Sequence, residues 1–204
     1  MDKISIIVPC FNEEDVVSMF YQETTKQLHR IPDIDYELLF INDGSKDHTA
    51  SVLKELAEKD SHCFYFTFSR NFGKEAAMFA GLEKATGDYV VIMDADLQHP
   101  PRLLPDMYHA CKYEGYDCAA GKRVDRTGEG RLRNFLSHSF YKVIQKLTKM
   151  DMDDGAGDFR MMSRQMVDAI LELKEYNRYM KGLFSFVGFD TKWIMIGVKD
   201  TELI

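Results

Sequence analysis

No two of the four cysteines, at positions 10, 63, 111 and 118, form a C-x-x-C pair, and none has a close His or Cys companion at zinc spacing. This excludes a zinc frame read from spacing and predicts reduced, mostly buried thiols of a cytosolic protein rather than a disulfide framework. No apolar run approaches the roughly 18 residues that would span a bilayer. The opening, Met1-Asp2-Lys3 followed by Ile4 to Val8, lacks a signal-peptide layout and starts a strand at once, so the chain as given is expected to be soluble. Basic residues are also in deficit, 26 against 33 acidic ones for a net charge of −7. A surface built for nucleic acid is thereby excluded, and any anion site must be local. Internal repeats and low-complexity linkers are absent too. What is there is ordinary globular composition, 45% hydrophobic and 29% charged, in 204 residues that suit one domain. A chain of that length buries about 70% of its unfolded surface.

Two periodicities alternate through the first half. Ile4 to Val8 is a short β-branched run ended by Pro9, as expected of a strand covered on both faces. Glu13 to His29 follows at helical spacing, with Val16, Val17, Phe20 and Leu28 on one face and Asn12 as the expected N-cap. Tyr36 to Ile41 reads as a strand, Ser45 to Lys59 as a helix, Phe64 to Phe68 as a strand and Lys74 to Ala85 as a helix. Tyr89 to Met93, Leu103 to Glu114 and Asp117 to Ala120 continue as strand, helix and short strand. Strands joined by helices of this length predict an α/β fold, a mostly parallel, Rossmann-like sheet of right-handed βαβ units flanked by helices. Ligands bind such sheets beyond the carboxyl ends of the strands. Four of those ends are polar: Pro9 to Glu14, Asn42 to Ser45, Ser69 to Lys74, and Asp94 to Gln98.

The second half differs. Between Lys122 and Lys149 stand eight basic residues and only two acidic ones, so the rest of the chain is strongly acidic. An acidic, glycine-containing turn from Asp151 to Asp158 comes next, then a helix from Ser163 to Leu173 and a phenylalanine-rich segment from Leu183 to Phe189.

Asp94-Ala95-Asp96, directly after the strand Tyr89 to Met93, is the sharpest chemical feature. Two carboxylates at i and i+2 can converge on one ligand once the extended backbone breaks. Hard divalent cations take such oxygens and bridge them to substrate phosphates. A lone D-x-D is more often a surface turn, but the end of a central strand is where a metal diphosphate belongs.

The string Ile6-Ile7-Val8-Pro9-Cys10-Phe11-Asn12-Glu13-Glu14, then Asn42-Asp43-Gly44-Ser45, then Asp94-Ala95-Asp96-Leu97-Gln98-His99-Pro100-Pro101, resembles family 2 glycosyltransferases of the GT-A fold. The nearest branch is the polyprenyl-phosphate glycosyltransferases, such as dolichol-phosphate mannose synthases and bacterial GtrB-type glucosyltransferases. The resemblance runs from residue 4 to about 194. It implies one GT-A domain, with residues 1–121 as the nucleotide-sugar half and 122–204 as the acceptor half. It implies that Pro9, Phe11, Asn12 and Glu14 line the donor nucleotide, that Asp43 holds the base edge, and that Arg70 and Lys74 face the base or diphosphate. Asp94 would approach ribose and phosphate, and Asp96, with Asp94, would ligate Mg²⁺ or Mn²⁺. Asp158, in Gly157-Asp158-Phe159-Arg160, is implied as the acceptor-side catalytic carboxylate together with Asp96. The basic segment from Gly121 resembles the loop that takes the acceptor phosphate, with Arg123, Arg126 and Arg131 as candidates.

Plainer readings stay open beside these. Asp43 to Asp47 can be a turn plus helix cap, Arg70 and Lys74 a solvated helix start, Asp158 a partner of Arg160 or a cap, and the basic segment a solvated face. His99 and His138 are set aside, because a lone histidine is more often structural.

The reaction implied is transfer of a hexose or N-acetylhexosamine from a nucleotide diphosphate sugar, UDP-linked by analogy, to a polyprenyl phosphate, with inversion. A glycan or protein hydroxyl acceptor, or a nucleotide-sugar-binding protein without turnover, are the alternatives. The family continues beyond Trp193 with a basic, glycine-containing segment and then amphipathic and transmembrane helices, whereas this chain ends at Ile204. A fragment of a longer protein anchored at the cytoplasmic face of the membrane is therefore expected, with the membrane surface and a second copy of the chain among its partners.

Overall fold

Packed between helices on both faces, the run Ile4 to Val8 becomes the fully buried middle of β1 (Asp2–Cys10). A computed structural model describes residues 1–123, 156–173 and 179–197. β2 (Ile34–Asn42), β3 (Cys63–Thr67) and β4 (Tyr89–Ile92) run parallel to β1, with β2 and β4 on either side of it and β3 outside β2. The crossovers are α1 (Val17–Leu28), α2 (Thr49–Lys59) and α3 (Lys74–Lys84). After β4, a 3₁₀ turn (Pro101–Leu103) leads into α4 (Leu104–Tyr113) and β5 (Cys118–Arg123). β6 (Ala156–Ser163), α5 (Arg164–Glu172), α6 (Met180–Phe186) and β7 (Thr191–Ile196) complete the described elements.

Among the described residues the strands form one sheet in the order β3-β2-β1-β4-β6-β5-β7. Alternation along each strand divides the core in two. Ile4, Ile6, Val8, Leu38 and Phe40 pack with Phe20, Leu53 and Met107 under α1, α2 and α4. Ile7, Leu39, Ile41 and Val90 pack with Met78, Leu82, Met166 and Ile170 under α3 and α5. α3 lies so close to β1 that a Cβ on Gly81 would fall 2.2 Å from Ile7 Cγ2, closer than any carbon tolerates.

The sheet is mostly parallel, as expected, with β6 antiparallel to both β4 and β5. Other expectations are corrected. Residues 156–158, expected to lie in a turn, begin β6, and β7 had no counterpart in the sequence reading. α1 starts at Val17 and not near Glu13, because Asn12 adopts φ 58°, left-handed, and its side chain accepts from Lys46 N instead of capping a helix. α2 likewise starts at Thr49 and not Ser45. Ser163 does cap α5, its hydroxyl accepting from Met166 N. The four cysteines are buried and free. No helix among the described residues is long and apolar enough to cross a membrane.

Candidate active site

The carboxyl ends of β1, β2 and β4, with the turn after β3, open on a cleft of about 330 Å³. Pro9, Phe11, Asp43, Lys74, Asp94 and Asp96 line it, together with Glu13 and Gly73. Cys10 lines it as well, but burial, then the charges of Glu13 and Asp94, push its thiol far above the ordinary range, so it is no nucleophile.

Two loops form one wall by gripping each other. Asn12 N donates to Ser45 Oγ and Asn12 Oδ1 accepts from Lys46 N, both at 2.9 Å. Glu14 accepts from His48 N at 2.8 Å, and Glu13 N donates to Thr49 Oγ1 at 2.8 Å. Asn12 and Glu14 thus clamp the loop after β1 to the loop after β2 and are not in the cleft lining. Asp43 is buried, and its carboxylate holds a third loop: Oδ1 accepts from Phe72 N at 2.7 Å and Oδ2 from Gly73 N at 2.9 Å. Gly44, at φ 66°, permits this closeness, since a Cβ there would meet the Arg70 carbonyl carbon at 2.5 Å. Arg70 itself is exposed outside the lining, its guanidinium 4.0 Å from the Phe72 ring centroid.

The charged centre joins the loop after β4 to the antiparallel β6. Lys74, first residue of α3, places Nζ 2.7 Å from Asp94 Oδ1 and 2.8 Å from Asp158 Oδ2. Burial alone would raise the Asp158 carboxyl, but the hydrogen bond and charge of Lys74, followed by the charges of Lys181 and Arg160, hold it below the usual range. Burial alone would lower Lys74, yet Asp94 and Asp158 hold its ammonium above the usual range. Among the described residues Asp158 forms no salt bridge with Arg160 and caps no helix, and its Oδ1 is buried without a hydrogen-bond partner. Asp96 Oδ1 accepts from Gln98 N at 3.0 Å across the left-handed Leu97.

Two residues outside the expected set belong to this centre. Glu13 faces the same carboxylates: burial, then the charges of Asp96 and Asp94, raise its pKa. His99, set aside on its sequence, is buried, stacks on Phe159 with centroids 5.1 Å apart, and accepts from Asp94 N at 3.2 Å. His99 therefore sits between the Asp94 loop and the strand bearing Asp158. Arg123 ends β5 in register with Ile196; its side chain, and Arg126, Arg131 and His138 entirely, lie outside the described residues.

A divalent cation fits this donor set. Asp94 and Asp96 offer hard oxygens at the strand end, and the Glu13 carboxylate lines the same cleft. Among the described residues no three His, Cys, Asp or Glu side chains converge into a ready cage, so phosphate oxygens would have to complete the shell, as Mg²⁺ prefers.

A family model described as Glycosyl transferase family 2 matches residues 5–171. CsbB of Bacillus subtilis (strain 168) is 48% identical over 189 residues, covering 93% of this chain and 56% of that protein. The prophage bactoprenol glucosyl transferase homolog of Escherichia coli (strain K12) is 42% identical over 189 residues, covering 93% of this chain and 61% of that protein. The chain thus spans little more than half the length of the curated relatives it matches. Among solved structures, the mannosyltransferase PcManGT from Pyrobaculum calidifontis, in complex with GDP-Man and Mn²⁺, superposes with a TM-score of 0.65 at 18% identity, covering 96% of this chain and 56% of that one. At that identity the likeness shows the fold alone, which is the GT-A arrangement.

Proposed function

The chain belongs to glycosyl transferase family 2, and from that premise we propose that it moves a hexose or N-acetylhexosamine from a nucleotide diphosphate sugar, UDP-linked, to a polyprenyl phosphate. The observation that carries this reading is the convergence of Asp43, Lys74, Asp94 and Asp96 on one cleft at the strand ends, with Asp158 of the antiparallel β6 tied into it through Lys74. The 42% identity to a relative named a bactoprenol glucosyl transferase homolog supports the lipid acceptor.

In this reading residues 1–121 hold the donor and 122–204 the acceptor. The division falls inside β5, so both halves share one sheet. Phe11 and Pro9 flank the nucleoside, Asp43 supports the base side, and Asp94 and Asp96 hold Mg²⁺ or Mn²⁺. Bound there, the cation would act as a Lewis acid on the leaving diphosphate. Lys74 supplies a second positive charge where negative charge develops, which lowers the barrier when the group is already in place. Attack by a phosphate oxygen on the face opposite the leaving group inverts the anomeric carbon in one displacement.

A phosphate has a second pKa of about 6 and is largely ionised at neutral pH, so it needs no strong base. The lowered pKa of Asp158 agrees with that. A glycan or protein hydroxyl would need a general base, and Asp158, paired with Lys74 in the ligand-free cleft, is not placed as a free one, which favours phosphate. Asp158 then orients the acceptor. Arg123, Arg126 and Arg131 take the lipid phosphate, since the planar guanidinium donates two hydrogen bonds at once. With such an acceptor and a nucleotide sugar donor, the working protein would act at the cytoplasmic face of the membrane. Asp96→Asn tests the donor side: turnover should vanish with the fold intact, whereas near-normal activity in EDTA would refute the metal role.

A further inference from the structure

Lys74 makes a contact that a merely phosphate-facing lysine would not. Its Nζ lies 2.7 Å from Asp94 Oδ1, 2.8 Å from Asp94 Oδ2 and 2.8 Å from Asp158 Oδ2. An ammonium has three N–H donors, and three carboxylate oxygens surround this one. One side chain thus covers both oxygens of Asp94 and, through Asp158, bridges the parallel and antiparallel parts of the sheet. A divalent cation on Asp94 would draw on the same oxygens, at about 2.0 to 2.1 Å for Mg²⁺, and would set its own two charges against the ammonium. Lys74 and a metal ion therefore compete for Asp94 in this arrangement.

We propose that Lys74 is a resident cation that occupies Asp94 until a nucleotide diphosphate arrives, so that metal binding depends on the nucleotide. The diphosphate gives the ammonium another anionic partner, Nζ moves to it, and both Asp94 oxygens become available to the metal. Asp158 is not left bare by this exchange. Its Oδ1 is buried with no hydrogen-bond partner among the described residues and stands 4.0 Å from Lys181 Nζ, on α6, which is placed to close on it. Donor loading therefore changes the partner of the acceptor-side carboxylate as well. The inference rests on the reading of Asp94 and Asp96 as metal ligands, and it assigns Lys74 a role before chemistry begins.

The test is Mn²⁺ binding by the whole chain, read from the electron paramagnetic resonance signal of free Mn²⁺, with and without uridine diphosphate. For the unsubstituted protein, uridine diphosphate should tighten Mn²⁺ by about tenfold or more, within the ordinary range of coupling between sites. Lys74→Met should bind Mn²⁺ without nucleotide about tenfold more tightly than the parent, and its dependence on nucleotide should shrink. Lys74→Arg, which keeps the charge, should stay close to the parent. Lys74→Gln gives the same readout if the methionine variant fails to fold. Unchanged or weaker Mn²⁺ binding by the neutral variants without nucleotide would overturn the proposal while leaving the metal reading intact. Failure of the unsubstituted protein to bind Mn²⁺ even with uridine diphosphate would overturn the metal reading and the proposal with it.

Discussion

Replacing Asp43 by asparagine changes one oxygen to an NH₂ group at a position only 3% exposed. In the native loop each carboxylate oxygen accepts one backbone N–H, from Phe72 at 2.7 Å and from Gly73 at 2.9 Å. The amide can accept only one of them, and its NH₂ then faces the other N–H, donor against donor. An unpaired buried donor costs about 1 to 3 kcal/mol, and hydrogen bonds to a charged group are worth about 1.5 to 3 kcal/mol. The strain need not unfold the whole domain, because Arg70 to Phe72 are exposed and can lift away locally. At about 1.4 kcal/mol per factor of ten, a cost near 2 kcal/mol lowers the protection of the Phe72 and Gly73 amides by roughly 30-fold. Hydrogen exchange followed by NMR reads those amides directly, while the β1 and β2 core amides should keep their protection. The same loop lines the cleft proposed to hold the nucleotide, so Asp43→Asn should weaken free uridine diphosphate and intact donor by similar factors. Unchanged protection at Phe72 and Gly73 would refute the loop-holding role. Weakened binding of the intact donor alone would move Asp43 to the sugar.

Gly81→Ala puts a Cβ 2.2 Å from Ile7 Cγ2; overpacking of about 1 to 3 kcal/mol should exceed the roughly 1 kcal/mol gained in helix propensity, and urea unfolding should show a net loss. Glu13→Gln should raise the thermal midpoint of the ligand-free protein. Because burial and the charges of Asp96 and Asp94 raise the folded pKa of Glu13, its ionisation costs stability once pH rises above the unfolded value of about 4.3. The gain should therefore appear at pH 7 and fade at pH 3.5; a gain equal at both would contradict the cause. Arg123→Ala with Arg126→Ala should raise the acceptor KM or stop transfer while the donor Kd barely changes, and equal weakening of donor binding would place these arginines on the nucleotide side.

The first half of the fold was legible because its signals are local. Each buried parallel strand is a β-branched or aromatic run, each crossover has helical spacing, and the polar strand ends follow in order. β6 was not legible: Gly157 and Asp158 beside an acidic stretch read as a turn, and its pairing with β4 joins residues some 70 positions apart. The site was legible as a set of residue types but not as a set of contacts. Glu13 and Glu14 are equivalent on the page, and only after the left-handed turn at Asn12 does Glu13 line the cleft while Glu14 accepts from His48 N. His99 carried no spacing signal, since its partners are a backbone N–H and the ring of Phe159.

The most direct test of the account is the fate of the sugar. The protein would be incubated with UDP carrying a radiolabelled hexose, undecaprenyl phosphate in detergent and Mn²⁺, and the label partitioned between butanol and water. The account predicts label in the butanol phase as a mild-acid-labile sugar phosphate lipid of inverted anomeric configuration, absent with Asp96→Asn. Label transferred instead to a glycan or protein hydroxyl, or left on the nucleotide across all donors tried, would contradict it.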